Sequence, residues 1–183
     1  FCMAQVKFGV VGTIRGITLI ELLQAMGERA CLYAVCENDS AKVEKARDKI
    51  PADVKIYADY DEFLDSGIEA VVLCNFFHEH AAYAIQAMER GLDVISETTA
   101  APTLGECLDL VECCERTGRK YMLAANCPTM VGPGELMRVY QSGELGEVLY
   151  AEAEYLHPTT EGQLWMLERF LTELNPEVSL YYH

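Results

Sequence analysis

The sequence predicts an α/β fold: a doubly wound parallel sheet followed by the opening of an α+β domain. Three observations carry this. Up to Ala124, short apolar runs alternate with helical patterns, as in a parallel sheet with crossover helices. The first apolar run ends in a glycine turn that opens a helix, and an acid closes the second run. After Asn126 the texture changes, with Pro128, Gly132, Pro133 and Gly134 forming a joint.

Val6 to Val11 reads as the first strand, ending at Gly12. A helix over about Ile17–Met26 follows, with Ile17, Ile20, Leu22 and Leu23 as its apolar face. Cys31 to Cys36 is the second strand, and Ser40 with Val43 and Glu44 marks a helix start running towards Ile50 and Pro51. Lys55 to Tyr57 is a short third strand, and Tyr60 to Ser66 a short helix. Ala70 to Cys74 is nearly all apolar, as a strand covered on both faces requires. Between His80 and Arg90, residues Ala81, Ala84, Ile85 and Met88 share a helical face, and Gly91 terminates it. Asp93 to Ser96 is the fifth strand. Thr103 and Glu106 form a capping box for the helix Leu104 to Thr117, which Gly118 closes. Tyr121 to Ala124 is the sixth strand. Beyond the joint, a helix to about Ser142 and an alternating strand Val148 to Glu154 are expected.

Net charge is −15, from 29 acidic and 14 basic side chains, a surface that repels phosphate backbones; nucleic acid is not an expected partner. Of the eight cysteines, Cys31, Cys36 and Cys74 lie in or beside apolar runs and Cys107, Cys113 and Cys114 in a helical pattern; with no C-x-x-C pair present, this suits free thiols in a cytoplasmic protein. Phe1-Cys2-Met3-Ala4 lacks the look of a signal peptide, and no apolar run has membrane-spanning length, so no membrane partner is expected.

A strand–glycine turn–helix with an acid at the end of the second strand is the dinucleotide-binding, Rossmann-type arrangement. Here Gly9, Gly12 and Gly16 supply the glycines, and Gly12-Thr13-Ile14-Arg15-Gly16 is the turn expected to cradle a pyrophosphate at the helix N-terminus. Counted from Gly12, the motif G-x-G-x-x-G places glycine where this chain has Ile14 and Ile17. Glu37 lies about 20 residues on, where a carboxylate accepts the ribose hydroxyls and repels a 2′-phosphate, favouring NAD over NADP. Arg15 opposes that preference, since a cation in the turn can reach a phosphate.

Further segments carry a family resemblance. Asn75-Phe76-Phe77-His78-Glu79-His80 followed by Ala84 to Val94 resembles N-x-x-H…A-x-x-A-L-x-x-G-x-x-V of the glucose–fructose oxidoreductase/inositol dehydrogenase/rhizopine-catabolism family, Gfo/Idh/MocA. Ser96-Glu97-Thr98-Thr99-Ala100 stands where that family carries Glu-Lys-Pro, and 118–126 and 142–148 are similar to two more of its segments. The resemblance implies a Rossmann domain for NAD or NADP and a second α+β domain for substrate and homo-oligomer contacts. It also implies hydride transfer at a sugar or cyclitol carbon, with NAD-dependent glycosidases and non-catalytic sugar sensors as alternatives. It points to Glu97, Thr98, His78 and His80 as catalytic candidates, and adds Asn75, Glu97 and Asn126 to the turn residues and Glu37 as cofactor-binding candidates. The motif lysine is replaced by Thr98, whose neutral hydroxyl cannot act as an acid in place of an ammonium. Thr99 replaces the proline, so a cis bond is not expected there.

His78 and His80 would share a face on a strand, but no Cys or Asp cluster accompanies them, and a metal is not expected. A capping or solvated role stays open for each. Tyr155, His157 and Trp165 are read as core residues rather than a sugar platform, and Glu152 and Glu154 as solvent-facing. The domain expectation is 1–124 for the NAD(P)-binding Rossmann domain and 125–183 for the beginning of an incomplete second domain.

Overall fold

The computed structural model of the chain describes residues 5–126 and 130–154. It divides into two compact units, one running through Ala124 and the other starting at Ala125.

In the first unit β1 (Val6–Val11), β2 (Ala30–Cys36), β3 (Lys55–Tyr57), β4 (Ala70–Leu73), β5 (Asp93–Ser96) and β6 (Tyr121–Leu123) form one sheet of order β3-β2-β1-β4-β5-β6. Every neighbouring pair is parallel. The order reverses direction between β1 and β4, and in such sheets ligands bind beyond the carboxyl ends of the strands at that point.

The helices are α1 (Gly16–Ala25), α2 (Ser40–Ala46), α3 (Tyr60–Leu64), α4 (His80–Glu89) and α5 (Leu104–Thr117). Alternation along the strands sends side chains to opposite faces and builds two apolar layers. Val10, Val35, Val72 and Cys74 pack with Ile20, Leu23 and Ala46 in one layer. Val11, Ala34, Val71 and Leu73 pack with Phe63, Ala84, Met88 and Leu110 in the other. The β1–β2 register shifts between Phe8 and Gly9, so that Phe8 faces Leu32 and Gly9 faces Ala34, with Tyr33 left over. This extra residue places Leu32 and Val35 in the same layer despite their odd separation.

Several local expectations are corrected. Leu22 is exposed, because α1 meets the sheet through Gly16, Ile20 and Leu23, a narrower stripe than the expected face. Asp39 rather than Ser40 caps α2, its carboxylate accepting from Ala41 N and Lys42 N. Thr103 does cap α5, accepting from Glu106 N and donating to the Glu106 carboxylate at 2.6 Å.

In the second unit, α6 spans Val131–Ser142 and absorbs the Gly132-Pro133-Gly134 joint. Proline is tolerated there because the N–H groups of a first helical turn have no intrahelical acceptor. The expected strand Val148 to Glu154 is not formed: these residues have no regular structure and are exposed. Among the described residues no strand lies beside them, and an isolated strand leaves its backbone groups without ladder partners. Tyr155, His157 and Trp165 lie outside the described residues.

Candidate active site at the switch point

The glycine turn is fixed from behind. Gly12 N donates to Cys36 O at 2.9 Å, and Gly12 has φ +84°, the left-handed region that glycine adopts freely. A Cβ on Gly12 would stand 2.7 Å from Cys74 O, so the absence of a side chain lets the turn cross the end of β4. Gly16 brings α1 onto the sheet, since a Cβ there would meet Val10 Cγ1 at 2.9 Å. Gly9, expected as a cofactor contact, has a different part. A Cβ there would lie 2.3 Å from the Phe63 ring, so Gly9 makes room for a core aromatic inside β1.

Past the turn, α1 begins without a side-chain cap on its first N–H groups. Ile17 N is already taken by Thr13 O at 3.2 Å, so what the ten-residue helix offers is chiefly the positive end of its dipole, beside exposed Ile14 and Arg15. That is the chemistry that holds a pyrophosphate, and the residues present fit such a group.

Thr13 and Glu37 form a buried clasp, 1% and 9% exposed. Glu37 Oε2 accepts from Thr13 N at 3.0 Å and Thr13 Oγ1 at 2.9 Å, while Oε1 accepts from Asp39 N at 3.2 Å. The expected ribose acceptor is thus already engaged by the turn. Thr13, expected as a cofactor contact of the glycine turn, instead turns both its N–H and its hydroxyl to Glu37. The sequence signal for that pairing was a hydroxyl residue directly after the first turn glycine. Beyond Glu37, Lys42 lies 3.9 Å from Asp39 Oδ2 and its ammonium stands 5.6 Å from the Phe76 ring centre. Phe76 is partly exposed at this edge.

On the other side of the switch point, Arg15 reaches Glu97 Oε1 at 3.4 Å and joins the turn to the segment after β5. Glu97 Oε2 accepts from Thr98 N at 3.2 Å, and the exposed Thr98 hydroxyl is 3.5 Å from the same oxygen. The Thr98–Thr99 peptide is cis, contrary to the expectation drawn from the missing proline. The surrounding contacts grip both of its residues, Thr98 through Glu97 and Thr99 through His80.

His80 is 1% exposed at the start of α4. Its Nδ1 lies 2.7 Å from Thr99 O and its Nε2 3.2 Å from Asn75 O. Carbonyl oxygens only accept, so the shorter contact requires Nδ1 to carry hydrogen and donate. His80 thereby ties the segment after β4 to the segment after β5, in place of the solvated or capping role left open for it. His78, half-buried beside Phe76 and Phe77, has its Nδ1 buried with no hydrogen-bond partner, as has Asn75 Oδ1. The Asn75 amide donates to Glu79 Oε2 at 3.1 Å. Asn126 is exposed and belongs to the second unit. Among the described residues no group of three or more His, Cys, Asp or Glu is placed to hold a metal, and no helix is long and apolar enough to cross a membrane.

Burial sets the thiols at the strand ends. Cys36 and Cys74 are each pushed up to about 12, first by desolvation and then by the carboxylates of Glu37 and Glu97 respectively. They are held as neutral thiols beside the turn.

A six-stranded parallel sheet with this strand order, a glycine turn opening α1 and an acid after β2 define a dinucleotide-binding domain of the Rossmann type. Residues 6–125 match Gfo/Idh/MocA, described as the oxidoreductase family with an NAD-binding Rossmann fold, and the chain belongs to that family. It is 33% identical over 150 residues to an uncharacterized oxidoreductase of Rhizobium meliloti, covering 80% of this chain and 44% of that protein. It is 30% identical over 167 residues to an alpha-N-acetylgalactosaminidase of Shewanella oneidensis, covering 85% of this chain and 36% of that protein. The chain therefore spans less than half the length of these two relatives. A scyllo-inositol dehydrogenase from Lactobacillus casei, solved with NAD(H) and scyllo-inositol, superposes with a TM-score of 0.71. That match has 18% identity and covers 78% of this chain and 43% of that one; at this identity it shows the shared fold.

Proposed function

We propose that this chain supplies the cofactor-binding half of an NAD-dependent oxidoreductase acting on a sugar or cyclitol hydroxyl carbon. The observation that carries the reading is the Arg15–Glu97 contact, which brings the glycine turn and the Glu97-Thr98 segment together across the switch point. A dinucleotide laid over the turn would pass between the residues expected to bind it and those expected to face its substrate. When bound, the nicotinamide supplies a hydride acceptor or donor.

The chain's residues take the remaining roles. The dipole at the N-terminus of α1 and the Arg15 guanidinium hold the pyrophosphate. The Glu37 carboxylate accepts ribose hydroxyl and repels a 2′-phosphate, which gives NAD preference over NADP. Glu97 orients Thr98 through its backbone N–H, and the Thr98 hydroxyl positions the reacting substrate hydroxyl by hydrogen bonding. Thr98 does not move the proton. His80 is occupied by two backbone carbonyls and acts as a positioning residue. His78, with an uncommitted buried Nδ1, is the proton carrier among the described residues.

A second reading is favoured by the alpha-N-acetylgalactosaminidase relative: a glycosidase that uses NAD transiently. The loss of the motif lysine supports a third, a non-catalytic sugar sensor. Calorimetric titration with NAD and NADP, followed by NAD turnover with a panel of polyols and cleavage of a nitrophenyl glycoside, separates the three. Reduction of NAD by a polyol is the expected result. Glycoside cleavage without net NAD reduction selects the glycosidase, and NAD binding with neither activity selects the sensor. Tighter binding of NADP than NAD refutes the role given to Glu37.

A further inference from the structure

We propose that Glu37 accepts only one of the two adenosine-ribose hydroxyls, because Thr13 occupies its other oxygen and so serves as a positioning residue for cofactor selection. The inference rests on the dinucleotide reading of the turn and refines it.

The count of acceptor positions decides the matter. A carboxylate has about four lone-pair sites, two on each oxygen. Oε2 already receives two donors from one residue, Thr13 N at 3.0 Å and Thr13 Oγ1 at 2.9 Å. Oε1 receives Asp39 N at 3.2 Å. One site remains, on Oε1. A ribose presents two neighbouring hydroxyl donors, so Glu37 can take one and must leave the other outside its reach.

The clasp is not free to rearrange for the second hydroxyl. Thr13 is 1% exposed, and a buried hydroxyl and N–H released from Glu37 would lose their hydrogen bonds without gaining water. The turn holding Thr13 is fixed by Gly12 N to Cys36 O at 2.9 Å and by its crossing over Cys74 O. Glu37 is itself held at the end of β2, its N–H donating to Tyr57 O at 2.9 Å. The same clasp links pyrophosphate and ribose mechanically: whatever displaces the turn also displaces the ribose acceptor.

The test uses the full chain and three ligands: NAD and its 2′-deoxy and 3′-deoxy adenosine analogues, compared by calorimetry. One analogue is expected to bind about tenfold or more weakly than NAD, as for a lost hydrogen bond to a charged group, and the other within about twofold. Thr13→Val, which keeps the shape and removes the hydroxyl, is expected to weaken NAD. It should have little effect on the analogue that lacks the accepted hydroxyl. Thr13→Ser is expected to restore NAD affinity, which a purely space-filling role for Thr13 would not predict. Equal losses for both analogues would show Glu37 taking both hydroxyls and overturn the proposal, as would no loss for either. Failure of the wild-type protein to bind NAD at all would instead overturn the dinucleotide reading beneath it. If Thr13→Val does not fold, the wild-type analogue comparison still decides.

Discussion

Replacing Gly9 with alanine separates two roles that a glycine near a nucleotide turn can have. The sequence places Gly9 with the cofactor glycines, whereas the structure puts it inside β1 against the core. A Cβ there would lie 2.3 Å from Phe63 Cζ, 2.6 Å from Phe63 Cε2 and 2.9 Å from Ile68 Cδ1. The Phe63 ring is fully buried, edge-on to Tyr57 at 6.2 Å and stacked on Tyr60 at 5.9 Å, so it cannot withdraw without moving both. Overpacking a filled core costs about 1–3 kcal/mol, and clashes with two side chains place Gly9→Ala towards the upper end. Urea unfolding should show a lower midpoint with unchanged slope, while calorimetry should find NAD affinity within about twofold of wild type. Gly12→Ala is the control: left-handed φ costs an ordinary residue about 1–2 kcal/mol, and its Cβ meets backbone, so stability and NAD affinity should both fall. An unchanged midpoint for Gly9→Ala together with a tenfold loss of NAD affinity would refute the packing assignment.

His80→Phe keeps the ring volume but removes the Nδ1 donor facing Thr99 O; it should destabilise by about 1–3 kcal/mol and speed amide exchange at Thr98, and unchanged exchange would argue against the positioning role. Thr98→Lys should leave polyol oxidation unchanged or lower it, since the proposed chemistry moves its proton through His78 and not through position 98. A silent protein converted into a working dehydrogenase would instead make the absent lysine decisive and exclude His78 as carrier. Labelling in denaturant without reductant should count eight thiols, with Cys36 and Cys74 protected in the native protein at pH 8. The two buried thiols also predict a sign for alkaline stability. Unfolded thiols ionise near 9.0 while these stay protonated to about 12, so the folded state loses stability as pH rises through that interval. Denaturant midpoints that do not fall in the two-cysteine window, relative to a Cys36→Ala/Cys74→Ala control, would contradict it.

What could be read directly from the chain was whatever depends on local pattern. The all-apolar run of β4, the capping box at Thr103 and the left-handed Gly91 and Gly118 depend on residues near in sequence. So do the βα alternation and the spacing of the motif segments, which is why the family was recognisable from residues alone. Functional assignments inside the site depended on distant partners. Gly9 is a packing glycine only because Phe63 lies across from it, and no local pattern links the two. Glu37 and Thr13 are 24 residues apart, and their bond exists because β1 and β2 lie side by side with their carboxyl ends together. The two histidines look alike in N-x-x-H-x-H. Tertiary packing alone seats His80 between the carbonyls of Asn75 and Thr99 and leaves His78 Nδ1 uncommitted. Burial and hydrogen-bond partners are set by which strands become neighbours, and that adjacency is a property of the assembled sheet, not of any segment in it.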